Sequence, residues 1–178
     1  MEIKVYELNT CGERQIEIRI SGELQTSNEK VNLYATYDKD GTMVTCSSGT
    51  SMCNNPSYYI DIARFFQKIK DIEGNIAKNA FNMANDIYNK YSDNTSKEYD
   101  DLTELNIKIR GIRKQIDEIN KKLKRSRKLD TINKLNDELN NLETTKKTLS
   151  DVAHEIDKSI NEKLSKCLNE IKNITITI

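Results

Sequence analysis

LTELNIKIRGIRKQIDEINKKLKRSRK, residues 102–128, places apolar side chains at Leu102, Leu105, Ile109, Ile112, Ile116, Ile119 and Leu123. The steps alternate three and four without a fault, which is the seam of a coiled coil. Around its far end sit Lys108, Arg110, Arg113, Lys114, Lys121, Lys122, Lys124, Arg125, Arg127 and Lys128, opposed only by Asp117 and Glu118. The register fails after Leu123, where the next seam positions fall on Ser126 and Asp130, so a turn is expected across 126–130. Ser126 or Asp130 then caps a further helix. Its seam is Leu135, Leu139, Leu142, Leu149, Ala153, Ile156, Ile160, Leu164, Cys167 and Ile171, with Lys146 and Lys163 as charged members. The chain is expected to fold back here as an antiparallel helical hairpin.

Upstream, Ser92-Asp93-Asn94-Thr95-Ser96 reads as a break, with the heptad helix starting near Lys97. An earlier helical pattern opens at Asn55-Pro56, an N-cap followed by a first helical position. It runs to about Tyr91 through Ile62, Phe66, Ile69, Ile72, Ile76, Ala80, Met83 and Ile87. Gly74 lies in its middle, costs roughly 1 kcal/mol relative to Ala and marks a bend.

The first 46 residues read as strands. Ile3, Val5 and Leu8 precede a turn at Thr10-Cys11-Gly12, and Ile16, Ile18 and Ile20 then alternate with polar residues. A loop over Gln25–Lys30 leads to Val31, Leu33, Ala35 and Tyr37, and Asp38-Lys39-Asp40-Gly41 turns the chain into Thr42–Cys46. This is a four-stranded antiparallel meander. Ser47–Asn55 has no periodicity and reads as a linker. At the other end Asn173–Ile178 alternates Ile with Thr and reads as a strand returning to that sheet. A straight helix from Pro56 would leave Ile171 about 50 Å away, at 1.5 Å per residue; the bend at Gly74 resolves the conflict.

The expected class is therefore α+β: a small antiparallel β-meander head with a long antiparallel helical hairpin, a coiled-coil arm, and a C-terminal strand. Residues 1–73 plus 172–178 make the head. Residues 74–171 make the helical stalk and arm, with the basic tip near 108–128.

Composition agrees with exposed helices: 36% hydrophobic and 31% charged over 178 residues, since each helix of a small assembly buries one stripe. Net charge is zero, but residues 108–128 hold ten basic and two acidic side chains, a local +8. A neutral chain with one positive sector has a strong local field there. MEIKVYELNT lacks the apolar run of a signal peptide, and no stretch reaches the roughly 20 apolar residues of a membrane span. A cytoplasmic protein with reduced Cys11, Cys46, Cys53 and Cys167 and no membrane association is expected. The abundance of Lys, Asn and Ile points to an AT-rich genome.

Reactive constellations are weak. Cys46 and Cys53 are seven positions apart, outside common zinc spacing, and His154 lies far from both. Asp38–Gly41 lacks the later ligands of a calcium loop, and Ser47–Ser51 lacks the Gly-Lys-Ser/Thr of a phosphate loop. No nucleophile and base are paired, so no enzyme, metal or cofactor is expected. Tyr58, Tyr59, Phe65 and Phe66 read as the aromatic cover of the sheet.

Function is expected at the tip, through Arg110, Arg113, Lys114, Lys121, Lys122, Lys124, Arg125, Arg127 and Lys128. Arg110, Lys114, Lys121, Arg125 and Lys128 form an outer stripe suited to a phosphate backbone or an acidic protein. The stripe has no aromatic residue, which argues against base stacking at the tip. The expected class is a non-enzymatic binding protein for nucleic acid or a nucleoprotein complex, with a phage or mobile-element inhibitor of a host system as one form. The alternative is a coiled-coil assembly protein that oligomerises or binds a partner helix, favoured by Lys146 and Lys163 in the seam.

Overall fold

The computed structural model describes residues 1–23, 30–48 and 56–178, with the side chains at 48 and 56–62 outside that description. Four strands are followed by three helices: β1 (Glu2–Asn9), β2 (Gln15–Glu23), β3 (Lys30–Tyr37), β4 (Met43–Ser48), α1 (Pro56–Ile72), α2 (Asn75–Arg125) and α3 (Leu129–Lys172). The sheet is antiparallel in the order β1-β2-β3-β4, so the protein is of the α+β class. The chain divides into two compact units, one of residues 1–91 with 165–178 and one of residues 92–164. Among the described residues no helix is long and apolar enough to cross a membrane.

The sheet unit follows from period-two alternation. Ile16, Ile18 and Ile20 lie opposite Tyr37, Ala35 and Leu33, and all six side chains face one layer. Phe65, Ile69 and Ile72 of α1, Ala77, Ala80, Phe81 and Ala84 of α2, and Cys167 and Ile171 of α3 cover it. Burial of each large aliphatic side chain contributes about 1.5–3 kcal/mol. Tyr37 brings a hydroxyl into this layer and donates it to the Ile69 carbonyl at 2.9 Å. Burial first, and the Glu73 charge second, hold that phenol well above its ordinary pKa.

The turn after β3 is built by Asp38, whose carboxylate accepts from the backbone N–H groups of Asp40 and Thr42, each at 2.9 Å. Gly41 and Gly74 both adopt left-handed φ, +83° and +85°. The Gly74 N–H donates to the Gly41 carbonyl at 2.9 Å, joining the turn to the end of α1. The expected bend is thus a full stop between α1 and α2. That stop resets the helical phase of α2, where Met83 is exposed at 54% and Ala77, Phe81 and Ala84 are buried instead; in α1 Phe65 enters the core as expected, and Phe66 is exposed at 47%. Tyr58 and Tyr59 lie outside the described side chains, as do the loop at 24–29 and the segment 49–55 with Cys53.

The C-terminal strand is also corrected. Residues 173–178 form no strand but a single antiparallel bridge between Thr175 and Lys4. The N–H groups of Asn173 and Ile174 donate back to the last turn of α3, which leaves only Val5 N–H to Ile174 O and Ile176 N–H to Ile3 O toward β1. Ile174 and Ile176 still enter the core at 6% and 8% exposure.

In the helical unit α2 runs without interruption through Ser92–Ser96, against the expected break. The hydroxyls of Thr95 and Ser96 donate to the carbonyls of Ser92 and Asp93, so side chains that favour turns are absorbed into the helix. Shielded positions then extend the 3-4 seam upstream to Thr95 and Glu98 and onward through Ile109, Ile116 and Ile119 to Leu123. On α3 the corresponding run is Ile132, Leu135, Leu139, Leu142, Lys146, Leu149, Ala153, Ile156, Ile160, Lys163 and Cys167. The connection is residues 126–128, and α3 starts at Leu129. Asp130 is therefore a first-turn residue favourable to the helix dipole rather than a cap, and Ser126 closes α2 by donating to Lys122 O.

Candidate functional site

The basic sector is positioned by the seam. With Ile109, Ile112, Ile116, Ile119 and Leu123 turned inward, Arg110, Arg113, Lys114, Lys121, Lys122, Lys124 and Arg125 stand on the exposed surface of α2, and Arg127 and Lys128 on the connection. Lys108 is held by Glu104 at 2.6 Å, an i,i+4 pair on the helix surface. None of the other nine cations makes an ion pair among the described residues. Gly111 leaves a shallow surface dent lined by Ile107, Arg110, Arg113 and Lys114, in which Ile107 is 60% exposed. This is a cationic surface with one apolar point.

The charged seam position Lys163 has a partner. Lys163 Nζ donates to Glu98 Oε1 at 2.7 Å and to the Asn94 carbonyl at 3.4 Å, and Ser159 donates to the same Glu98 oxygen at 3.0 Å. The hydrogen bond from Lys163 holds the Glu98 carboxyl below the ordinary carboxylate range. Glu98 was not singled out in the sequence because the helix there was expected to begin just before it. Extending the 3-4 pattern backward from Leu102 reaches Glu98 and then Thr95.

A second surface went unread in the sequence. The sheet face opposite the core carries Tyr6 and Tyr34, with ring centroids 5.2 Å apart and planes at 71°. The Arg19 guanidinium lies 5.6 Å and Lys172 Nζ 5.3 Å from the Tyr6 ring centre. Lys4 stands beside Arg19 in the ladder and pairs with Glu2. Alternation with Lys4 places Tyr6 on this face, and the ladder irregularity between Val5 and Glu7 then resets the phase, so that Glu7 stands opposite Glu17 and Leu8 turns into the core.

Metal chemistry has no visible seat: among the described residues no three His, Cys, Asp or Glu side chains cluster. Cys46 and Cys167 are half-buried and buried, and desolvation raises the pKa of both thiols. His154 is exposed on α3 and shares a surface depression with Glu98, Asp151 and Glu155. No family model, no curated protein and no solved structure matches this chain.

Proposed function

We propose that this is a non-enzymatic binding protein of the cytoplasm that engages nucleic acid, or a nucleoprotein complex, through the basic sector at 108–128. On this reading residues 92–164 act as an antiparallel helical hairpin whose connection carries the sector, and the C-terminal segment ties the end of α3 to β1. The three-residue connection, the matching seams and the Glu98 contacts with Ser159 and Lys163 support the hairpin. The observation that carries the function is the set of nine exposed cations without ion-pair partners among the described residues. Cations already neutralised by neighbours would contribute little to a phosphate backbone; these retain their field. A phage or mobile-element inhibitor that obstructs a host nucleic-acid-handling complex is one form such a protein takes.

Filter binding across a salt series tests this. Log affinity should fall linearly with log salt, and each contacting cation changed to Gln should reduce the slope by about one. A variant with Lys124, Arg125, Arg127 and Lys128 all changed to Gln should fold as the parent does and bind at least tenfold more weakly. Parental affinity in that variant would remove the basic sector from the function.

The assembly reading keeps one specific observation: Tyr99, Ile107 and Val152 are exposed apolar side chains on the helical unit, at 45%, 60% and 45%. Sedimentation equilibrium decides it. A stable dimer broken by Ile107→Glu would favour assembly, and a monomer would discard self-association.

A further inference from the structure

The sheet has two faces of opposite character. One is the aliphatic core; the other, across β1, β2 and β3, holds hydroxyl, amide, charged and tyrosine side chains. A packed helix needs an apolar face to sit on, so this face is unsuited to another layer of protein core. Its middle is defined by the register. Thr175 lies opposite Lys4, Lys4 opposite Arg19, Arg19 opposite Tyr34, and Tyr34 opposite Ser47. This row crosses the whole sheet without a carboxylate, spanning roughly 19 Å at the usual strand spacing of 4.8 Å.

Tyr6 and Lys172 pack against the row, so two tyrosine rings and three cations converge on it. The acidic residues keep to the neighbouring rows. Glu17 stands opposite Glu7 on one side, and Glu2 opposite Ser21 on the other, its charge taken up by Lys4. Ser21 and Asn32 are satisfied by each other at 2.7 Å. Aromatic faces and guanidinium planes stack unpaired bases, and cations between them take the phosphates. We propose that this row binds single-stranded nucleic acid lying across the strands, with bases against Tyr34 and Tyr6 and phosphates on Arg19 and Lys172, while Lys4 stays paired with Glu2. The site is independent of the basic helical sector, whose cations lack aromatic partners and grip a backbone without reading its bases.

Fluorescence anisotropy with a labelled dT12 strand, and with an abasic strand of the same length, tests the proposal on the full chain. The parent should bind dT12 about tenfold more tightly than the abasic strand, because stacking requires bases. Tyr34→Ala should erase that preference, and Tyr34→Phe should keep it, since the ring and not the hydroxyl does the stacking. Arg19→Gln, a surface change with little consequence for folding, should weaken dT12 at least threefold and serves if Tyr34→Ala melts early. Equal binding of the two strands by the parent overturns the site, as does a preference that survives both Tyr34→Ala and Arg19→Gln. An oligoglutamate peptide that binds where dT12 does not would assign the face to an acidic protein and overturn it too. The variant with Gln at 124, 125, 127 and 128 separates the two surfaces: it should bind both strands more weakly yet retain the preference for bases.

Discussion

In the sheet unit Ile16, Ile18, Ile20, Tyr37 and Ile72 are closed off completely, whereas in the helical unit the buried apolar seam residues all retain some exposure, from 2–3% at Ile160 and Ile119 to 6–8% at Ile109, Ile116 and Ala153. The difference is geometric. A sheet face covered by helices surrounds each side chain on all sides, while a helix packed along one face buries one stripe and leaves the rest in water. Polarity follows the same division. Among the described residues the sheet unit buries one phenol and satisfies it with a backbone carbonyl; the helical unit carries Glu98 and Lys163 in the seam itself. One region is built to be stable, and the other has surface to offer.

The sharpest way to break that contrast is truncation in each region. Ile18→Ala should cost about 4 kcal/mol in urea unfolding, near the upper end for a core aliphatic, and Ile116→Ala about 2 kcal/mol, because water reaches the edge of its site. Equal losses would mean that the two cores are equally closed. The junction of turn and helix should be nearly as sensitive as the core. A Cβ on Gly41 would stand closer than 3.0 Å to the Gly74 carbonyl in a φ that disfavours any side chain, so Gly41→Ala should cost about 3 kcal/mol or more. A mild effect would show that the α1–α2 stop can move away from the sheet.

A smaller effect sharpens the polarity half of the comparison. The Glu98 carboxyl is lowered in the folded protein, chiefly by its hydrogen bond from Lys163. A lowered folded pKa contributes stability that is present above the unfolded value of 4.5 and lost as pH falls through the folded value. Thermal melts should therefore show the parent losing its advantage over Glu98→Gln below about pH 4.5, with the two converging toward pH 3. A constant gap across that range would show that Glu98 contributes by packing rather than by charge. Smallest of all is the α2–α3 connection: Lys124, Arg125, Arg127 and Lys128 are exposed, and changing all four to Gln should alter stability by no more than about 0.5 kcal/mol.

Much of the architecture was legible in order and type. Period-two runs at 16–20 and 31–37 announced β2 and β3, and the 3-4 steps from Leu102 announced the inward face of α2, which in turn placed the nine cations outward. The misreadings share a cause. Ser92–Ser96 favours turns by local propensity, but side-chain to backbone bonds and a helix already running on both sides hold it helical. Asn173–Ile178 favours a strand by propensity, but the last turn of α3 claims its first two N–H groups.

The sequence by itself determined which residues are apolar and at what period they recur, and that suffices for strands, seams and a charged sector, because these depend on neighbours a few residues away. Only the tertiary structure decided that Gly74 ends a helix, because the Gly41 carbonyl that receives its N–H is 33 positions distant. It alone paired Glu98 with Lys163, 65 positions apart. It also brought Tyr6, Arg19, Tyr34 and Lys172 together on one face, where strand register and the end of α3 converge; no local pattern encodes a meeting set by the packing of distant elements.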